Sequence, residues 1–182
     1  GNARFDRDKL LAFNQDAIAA MDDDAFFQRV AGWCARYEPA LLERDAAWQR
    51  RYAAIVRSRC RTLADAGSPA GPGGFALAAD DGFAYDPQAV AKHLAKGDPS
   101  GFALLEAVRA RIEALDPFDA QAIEACAHAF AGERGVGLGK VAQPLRVAVT
   151  GGAASPPLGD TLAILGRDAV LRRIDRCLAG CR

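Results

Sequence analysis

Apolar residues recur every three or four positions along almost all of this 182-residue chain, while runs that alternate with period two are scarce. That spacing puts hydrophobic side chains on one stripe of a helix and suits no half-buried strand, so the expected fold class is all-α. Helix-starting and helix-stopping residues cut the pattern into segments. A first helix is expected from about Asp6 to Met21, with Leu10, Phe13 (or Leu11), Ala17 and Ile18 inward. Asp22 to Asp24 supply a cap and a negative first turn for a second, which ends near Tyr37 where Glu38-Pro39 stops it. A third, rich in arginine, is expected from Pro39 to about Cys60, its inward stripe formed by Leu41 or Leu42, Ala46, Trp48 or Tyr52, and Ile55 or Val56. Asp86-Pro87 opens a helix to Lys96 capped by Gly97, and Asp98-Pro99 opens another to about Leu115. Asp116 to Asp119 begin the next, which ends at Gly132 to Gly135. Three short helices close the chain, the last from Asp168 to Leu178 after Gly166.

One stretch interrupts this rhythm. Between Ala66 and Gly82 stand Gly67, Pro69, Gly71, Pro72, Gly73, Gly74 and Gly82, which are poor occupants of a helix interior. A loop or hinge is expected there, dividing the chain into two helical subdomains, residues 2–82 and 83–182. No internal repeat is visible.

Composition narrows the function classes. Half of the residues are apolar, enough to bury a core without a staple. Lys plus Arg balance Asp plus Glu at 23 each, so no global basic field drives promiscuous nucleic-acid binding, and any RNA contact must be local. Cys34, Cys60, Cys126, Cys177 and Cys181 form no C-x-x-C pair and have no histidine at ligand spacing, so they read as thiols of a reduced protein with no metal site. A cysteine-dependent enzyme centred on Cys60 or Cys126 would need a base that the sequence does not place nearby. His93 and His128 read as surface or cap histidines, and Asp22 to Asp24 and Asp80-Asp81 as caps and loops. No apolar run reaches the ~20 residues of a membrane span, and no signal peptide opens the chain, so a soluble, cytoplasmic protein is expected. Gly1 reads as the scar of a removed tag.

Two cationic features carry chemistry. Arg50, Arg51, Arg57, Arg59 and Arg61, with Arg44 before them, make the densest positive patch. Gly137-Leu-Gly-Lys-Val-Ala-Gln-Pro-Leu-Arg-Val-Ala-Val-Thr-Gly151 forms an amphipathic helix in which Val141, Leu145 and Val149 share an apolar side. Lys140, Gln143, Arg146 and Thr150 line another as a row of donors suited to phosphates and base edges. On spacing alone, a solvated helix face accounts for both features.

The run G-x-G-L-G-K-V-A-Q-P-L-R-x-A-x-T-G, the turn S-P-P-L after it and L-G-R-D-x-x-L-R-R-I-D beyond resemble the end of bacterial glutamyl-tRNA synthetases. Arg57-Ser-Arg59-Cys-Arg61-Thr62-Leu63 is similar to that family's R-x-R-x-x-T-L segment. Phe5-Asp6-x-x-Lys9-Leu10-x-x-Phe13-Asn14-x-x-x-Ile18 resembles the start of its helical C-terminal half. The resemblance implies two packed helical subdomains forming a cage-like anticodon-binding region. It implies that Arg59 reads the third anticodon base, flanked by Arg57 and Arg61. Arg146 is implied to contact the first anticodon bases, with Gln143 beside it and Ser155, Pro156 and Leu158 in the turn against which unstacked bases are held. Gly159 departs from the family, whose members often carry a bulky residue there. Residues 66–82 also depart, since relatives usually have a helix. The implied partner is the anticodon loop of tRNA-Glu, with tRNA-Gln left open, bound by a monomer that contacts neither DNA nor membrane. No H-I-G-H-like or K-M-S-K-S-like motif is present, so no cofactor is expected in this chain, and the ATP and Mg chemistry of the family belongs to its catalytic half. The rival reading is a free-standing helical paralogue that acts as a protein-interaction adaptor.

Overall fold

The computed structural model describes residues 6–181. Gly1 and Phe5, the first residue of the N-terminal motif, lie outside them. Every regular element among the described residues is helical. The chain forms two compact units, the first ending at Leu77 and the second beginning at Ala78.

In the first unit, α1 (Arg7–Ala19) starts where the Asp6 carboxylate accepts the amides of Asp8 and Lys9. The α2 helix (Asp23–Tyr37) starts where Asp22 accepts from Ala25. Each carboxylate satisfies amides that the first helical turn leaves without a partner. The expected single helix from Pro39 to Cys60 is instead three pieces: a 3-10 turn at Pro39–Glu43, α3 (Ala46–Val56) and a second 3-10 turn at Arg57–Arg59. Asp45 explains the first break, because its side chain caps a new helix at the Trp48 amide. Gln49 then donates to the carbonyls of Leu42 and Arg44 that the break leaves open.

Leu41, Trp48, Tyr52 and Val56 are buried with Phe26, Val30 and Cys34 of α2, as the inward stripe predicts, but Ala46 is exposed. The expectation for α1 is corrected more strongly. Only Ile18 is buried there, whereas Leu10 and Phe13 are 51% and 61% exposed and Ala17 also faces solvent. Helix α1 meets the rest of its unit at the Arg57–Arg59 turn, so its periodicity points to a side that this unit does not cover.

Residues 66–77 are no open loop either. The short helices α4 (Leu63–Gly67) and α5 (Gly74–Leu77) flank tight turns, and Ala66, Gly67, Gly74, Phe75 and Ala76 are buried. The glycines serve close approach. A Cβ at Gly67 would lie 2.5 Å from the Trp33 ring, and one at Gly73 would lie 2.1 Å from the Tyr52 hydroxyl. That hydroxyl donates to the Ala66 carbonyl at 2.7 Å and fixes the segment against α3.

The second unit runs through α6 (Pro87–Val90), a π-helical turn at Ala91–Ala95, α7 (Gly101–Ala114), α8 (Ala120–Glu133), α9 (Gly139–Thr150), α10 (Leu158–Leu165) and α11 (Arg167–Gly180). Asp86 and Asp119 cap α6 and α8 as expected. Helix α7 begins two residues after Pro99, because Ser100 supplies the capping oxygen for the Ala103 amide. Leu105, Val108, Ile112, Ile123, Phe130, Leu145, Leu162 and Ile174 form the core, with α9 packed against α7, α8, α10 and α11. Its valine-leucine side is buried, as the sequence predicts. Gly151 ends α9 in a left-handed conformation, φ +81°, with its amide bonded to Val147 and its carbonyl accepting from Asp86. A Cβ there would lie 2.3 Å from the Ala84 carbonyl oxygen, so glycine is required twice over.

Candidate functional site

The arginine-rich segment of the first unit sorts into committed and uncommitted side chains. Arg57 is half-buried. Its Nε donates to Asp23 at 3.0 Å, and one terminal nitrogen donates to the carbonyls of Ala19 at 3.1 Å and Met21 at 2.7 Å. It ties the α1–α2 turn to the end of α3. Arg50 pairs with Asp24 and lies over the Phe27 ring, and Arg44 lies over Trp48.

Arg59 and Arg61 are exposed, and neither guanidinium has a hydrogen bond or ion pair among the described residues. The backbone around them is nonetheless rigidly held. Asp65 accepts the amides of Arg61 and Thr62 within a capping box, and Asn14 of α1 donates to the Arg61 carbonyl. A long cationic side chain on a fixed main-chain turn, with no internal partner to give up, is the arrangement a base-reading arginine needs. Asn14 thus holds backbone within the first unit.

The donor row of the second unit does not face outward as expected. Lys140 is exposed, but Gln143 is half-buried, and its buried Oε1 has no hydrogen-bond partner among the described residues. Arg146 folds onto the following turn. One terminal nitrogen donates to the Ser155 carbonyl at 3.0 Å, the Pro156 carbonyl at 2.7 Å and the Ser155 hydroxyl. Thr150 turns its hydroxyl to the carbonyls of Arg146 and Gly152. Buried carbonyls and hydroxyls on the adjacent turn offer these donors partners in a drier environment than water, which is why the row bends inward.

The side chains of Ser155, Pro156 and Leu158 are buried, and Pro157 is the exposed residue of the turn. Ser155 and Thr161 hydroxyls lie 3.0 Å apart, and Thr161 also donates to the Pro156 carbonyl at 3.1 Å. Sequence reasoning missed Thr161. Its place six residues after Ser155, inside the first turn of α10, is the signal that could have found it.

Gly159 faces inward as well. Its amide donates to Glu124 of α8 at 2.8 Å, and a Cβ would sit 2.3 Å from the Ala120 carbonyl oxygen. A bulky residue at this position would therefore force α8 and α10 apart. Gly159→Ala is expected to lower stability by about 1–3 kcal/mol through overpacking, checked by denaturant unfolding.

Cys34, Cys60 and Cys126 are poor nucleophiles. Burial pushes Cys34 up to about 11 and Cys60 up to about 12, and Cys60 Sγ is bonded to the Val56 carbonyl. Burial also raises Cys126. His128 is exposed, whereas His93 is half-buried, and burial and the neighbouring Lys92 lower its pKa. Among the described residues, no three His, Cys, Asp or Glu side chains group as a metal site, and no helix is long and apolar enough to cross a membrane.

Comparison with known proteins gives a consistent pattern. A family model described as anticodon binding domain matches residues 25–178. The chain is 37% identical over 182 residues to a glutamate–tRNA ligase of Anaeromyxobacter sp. (strain Fw109-5), covering 96% of this chain and 35% of that protein. It is 36% identical to the glutamate–tRNA ligase of Thermus thermophilus, covering 79% of this chain and 30% of that protein. The crystal structure of a glutamate tRNA ligase from Elizabethkingia meningosepticum in complex with its amino acid superposes with a TM-score of 0.80 at 22% identity. It covers 100% of this chain and 34% of that one, and it shares the fold. The chain thus spans about a third of the length of the curated relatives it matches.

Proposed function

This chain belongs to the anticodon-binding domain family, and from that membership we propose that it is the part of a glutamate–tRNA ligase that reads the anticodon loop of tRNA-Glu. The observation that carries the reading is the family match over residues 25–178, which includes the R-x-R-x-x-T-L segment, the Q-P-L-R segment and the turn after it. A free-standing adaptor has no comparable observation in its favour. Under this proposal the chain binds and does not catalyse, and the ligation, with its ATP and Mg, is assigned to the remainder of a protein of the relatives' length.

The roles divide by what each side chain is already doing. Arg59 is the direct reader: a guanidinium can make two directed hydrogen bonds to one base edge, and such a contact is worth about 1–3 kcal/mol of discrimination. Arg61 stands beside it with an equally uncommitted charge. Arg57 and Arg146 act as positioning residues, Arg57 beneath the Arg57–Arg59 turn and Arg146 within the Ser155-Pro156 turn. That second turn then offers its exposed Pro157 as an apolar support for an unstacked base, with Ser155, Pro156 and Leu158 holding it from below. Gln143, whose buried amide oxygen has no hydrogen-bond partner among the described residues, is assigned a supporting place on the same helix as Arg146.

With a net charge of zero, few phosphates are neutralised and the isolated chain should bind weakly, so the test belongs at low salt. Fluorescence anisotropy of labelled stem-loops is expected to show tighter binding of a tRNA-Glu anticodon stem-loop than of a stem-loop with an unrelated seven-nucleotide loop. Equal binding of the two would contradict the proposal.

A further inference from the structure

Arginine dominates the positive charge of this chain, and in the second unit the arginines among the described residues are engaged within the protein. Arg109 pairs with Asp175 and Glu113, and Arg111 with Glu133. Arg172 and Arg173 share Asp80, and Arg176 donates to two main-chain carbonyls. Arg134 lies over Phe130, and Arg167 donates to the Leu115 carbonyl.

The lysines are different. The chain has four, Lys9, Lys92, Lys96 and Lys140. Three of them, Lys92, Lys96 and Lys140, line one open cleft of about 200 Å³ in the second unit. All three are exposed, and none has an ion pair or hydrogen bond from its side chain among the described residues. No carboxylate lines the cleft. His93, Pro99 and Pro144 complete much of its wall, and Gly97, Gly101 and Gly139 keep side chains away from the main chain there.

Two local features bring these lysines to one cleft. The π-helical turn at Ala91–Ala95 carries Lys92 at its second residue, and Lys96 follows the turn directly. Helix α9 begins at Gly139 with Leu138 as its N-cap and no side-chain cap, so the positive end of its dipole is not offset by a carboxylate at the point where Lys140 stands. Pro144 lacks an amide hydrogen and lines the cleft. Three like charges around one concavity repel each other and have no internal counter-charge. An anion entering the cleft relieves both conditions.

We infer that this lysine cleft binds phosphodiester groups of the tRNA backbone, apart from the residues proposed to read the bases. The inference rests on the anticodon-reading proposal for the identity of the RNA. Phosphate contact explains why lysine is used here: an ammonium is a point charge that accepts any approach direction and carries no base information. The cleft would add sequence-independent affinity to a chain whose overall charge supplies none.

The test is the salt dependence of stem-loop binding by the full chain, wild type against K92Q/K96Q/K140Q. Each phosphate contact contributes roughly 0.7–0.9 to the slope of log K against log salt. The triple variant is therefore expected to lose about two units of slope, equally for the tRNA-Glu stem-loop and a third-base variant, with an unchanged melting temperature. A slope unchanged within error, in a variant that melts normally, overturns the inference even if the wild type still discriminates the third base. A lost slope in a chain that never discriminates would sink the anticodon reading and leave the cleft standing. Absence of any stem-loop binding at low salt overturns both.

Discussion

Replacing Arg173 with alanine is expected to lower the stability of the second unit by about 3–5 kcal/mol, the range seen when one partner of a buried charged network is removed. The side chain is 2% exposed. It donates from Nε to Asp80 at 2.8 Å and from its two terminal nitrogens to the carbonyls of Val149 at 2.9 Å and Ala78 at 2.8 Å, with the Phe83 ring against its plane. Alanine would leave a cavity and two main-chain acceptors whose donor has gone. The segment from Ala78 to Phe83 would lose one of its three arginine attachments to α11, those of Arg172 and Arg176 remaining. At about 4–8 °C per kcal/mol for a unit of this size, the melting temperature should fall by more than about 10 °C in calorimetry. Arg173→Lys should recover little, because one ammonium cannot span three acceptors set in a fork.

The same cluster predicts a pH dependence. Burial by itself would raise the Asp80 carboxyl, but hydrogen bonds from Arg173 and Arg172, with both charges, hold it below its ordinary value of 3.8. A carboxyl that titrates lower in the folded state binds fewer protons there than in the unfolded chain. Its contribution is present above the ordinary carboxylate range and is lost as the pH falls through the folded pKa. Wild-type stability should therefore drop more steeply below about pH 4 than that of Asp80→Asn, measured by urea unfolding across pH.

Arg146→Ala is expected to cost about 2–3 kcal/mol, because hydrogen bonds from a charged donor are stronger than neutral ones and the buried Ser155 and Pro156 acceptors would be left short of a partner. Its effect should be local. Amide exchange should accelerate at Gly159 and Thr161, which open α10 directly after the turn, while the amides of α7 keep their protection. Stem-loop binding should weaken alongside, since the turn would no longer be held in one conformation. A variant that loses binding with unchanged exchange in the turn would show that Arg146 contacts RNA directly.

Much of the fold was legible in the sequence because capping is local chemistry. Asp22, Asp86 and Asp119 each announce a helix start through one carboxylate and one or two amides, and Gly151 and Gly166 announce ends. The failures are tertiary. Leu10 and Phe13 have helical spacing, yet nothing in that spacing says that the first unit meets α1 through Ile18 and Asn14 instead. Gly67 and Gly73 read as breakers because propensity cannot see Trp33 and Tyr52 occupying the space where their side chains would be. The reading of one helix from Pro39 to Cys60 followed the apolar stripe and passed over Asp45, whose carboxylate caps a new helix at the Trp48 amide.

The candidate site divides in the same way. The R-x-R-x-x-T-L and Q-P-L-R segments are recognisable as strings of letters, and their positions 57–63 and 143–146 fall inside the family match. Which arginine is held by its own protein is not a property of the string. Arg57 and Arg59 are two residues apart, yet one bridges to Asp23 and two carbonyls while the other is exposed without such partners. Lys96 and Lys140 are 44 residues apart in the chain, so the shared cleft needed the π-helical turn to pack against α9 to appear.

The most direct test of anticodon reading is a binding cycle of wild type and Arg59→Gln against two stem-loops that differ only in the third anticodon base. Wild type is expected to prefer the tRNA-Glu loop by about 1–3 kcal/mol, and Arg59→Gln to erase most of that preference. Its melting temperature should stay nearly unchanged, because an exposed arginine without an internal partner contributes well under ~1 kcal/mol to stability. A wild-type chain indifferent to the third base, or an Arg59→Gln variant that discriminates as well as its parent, would contradict the account.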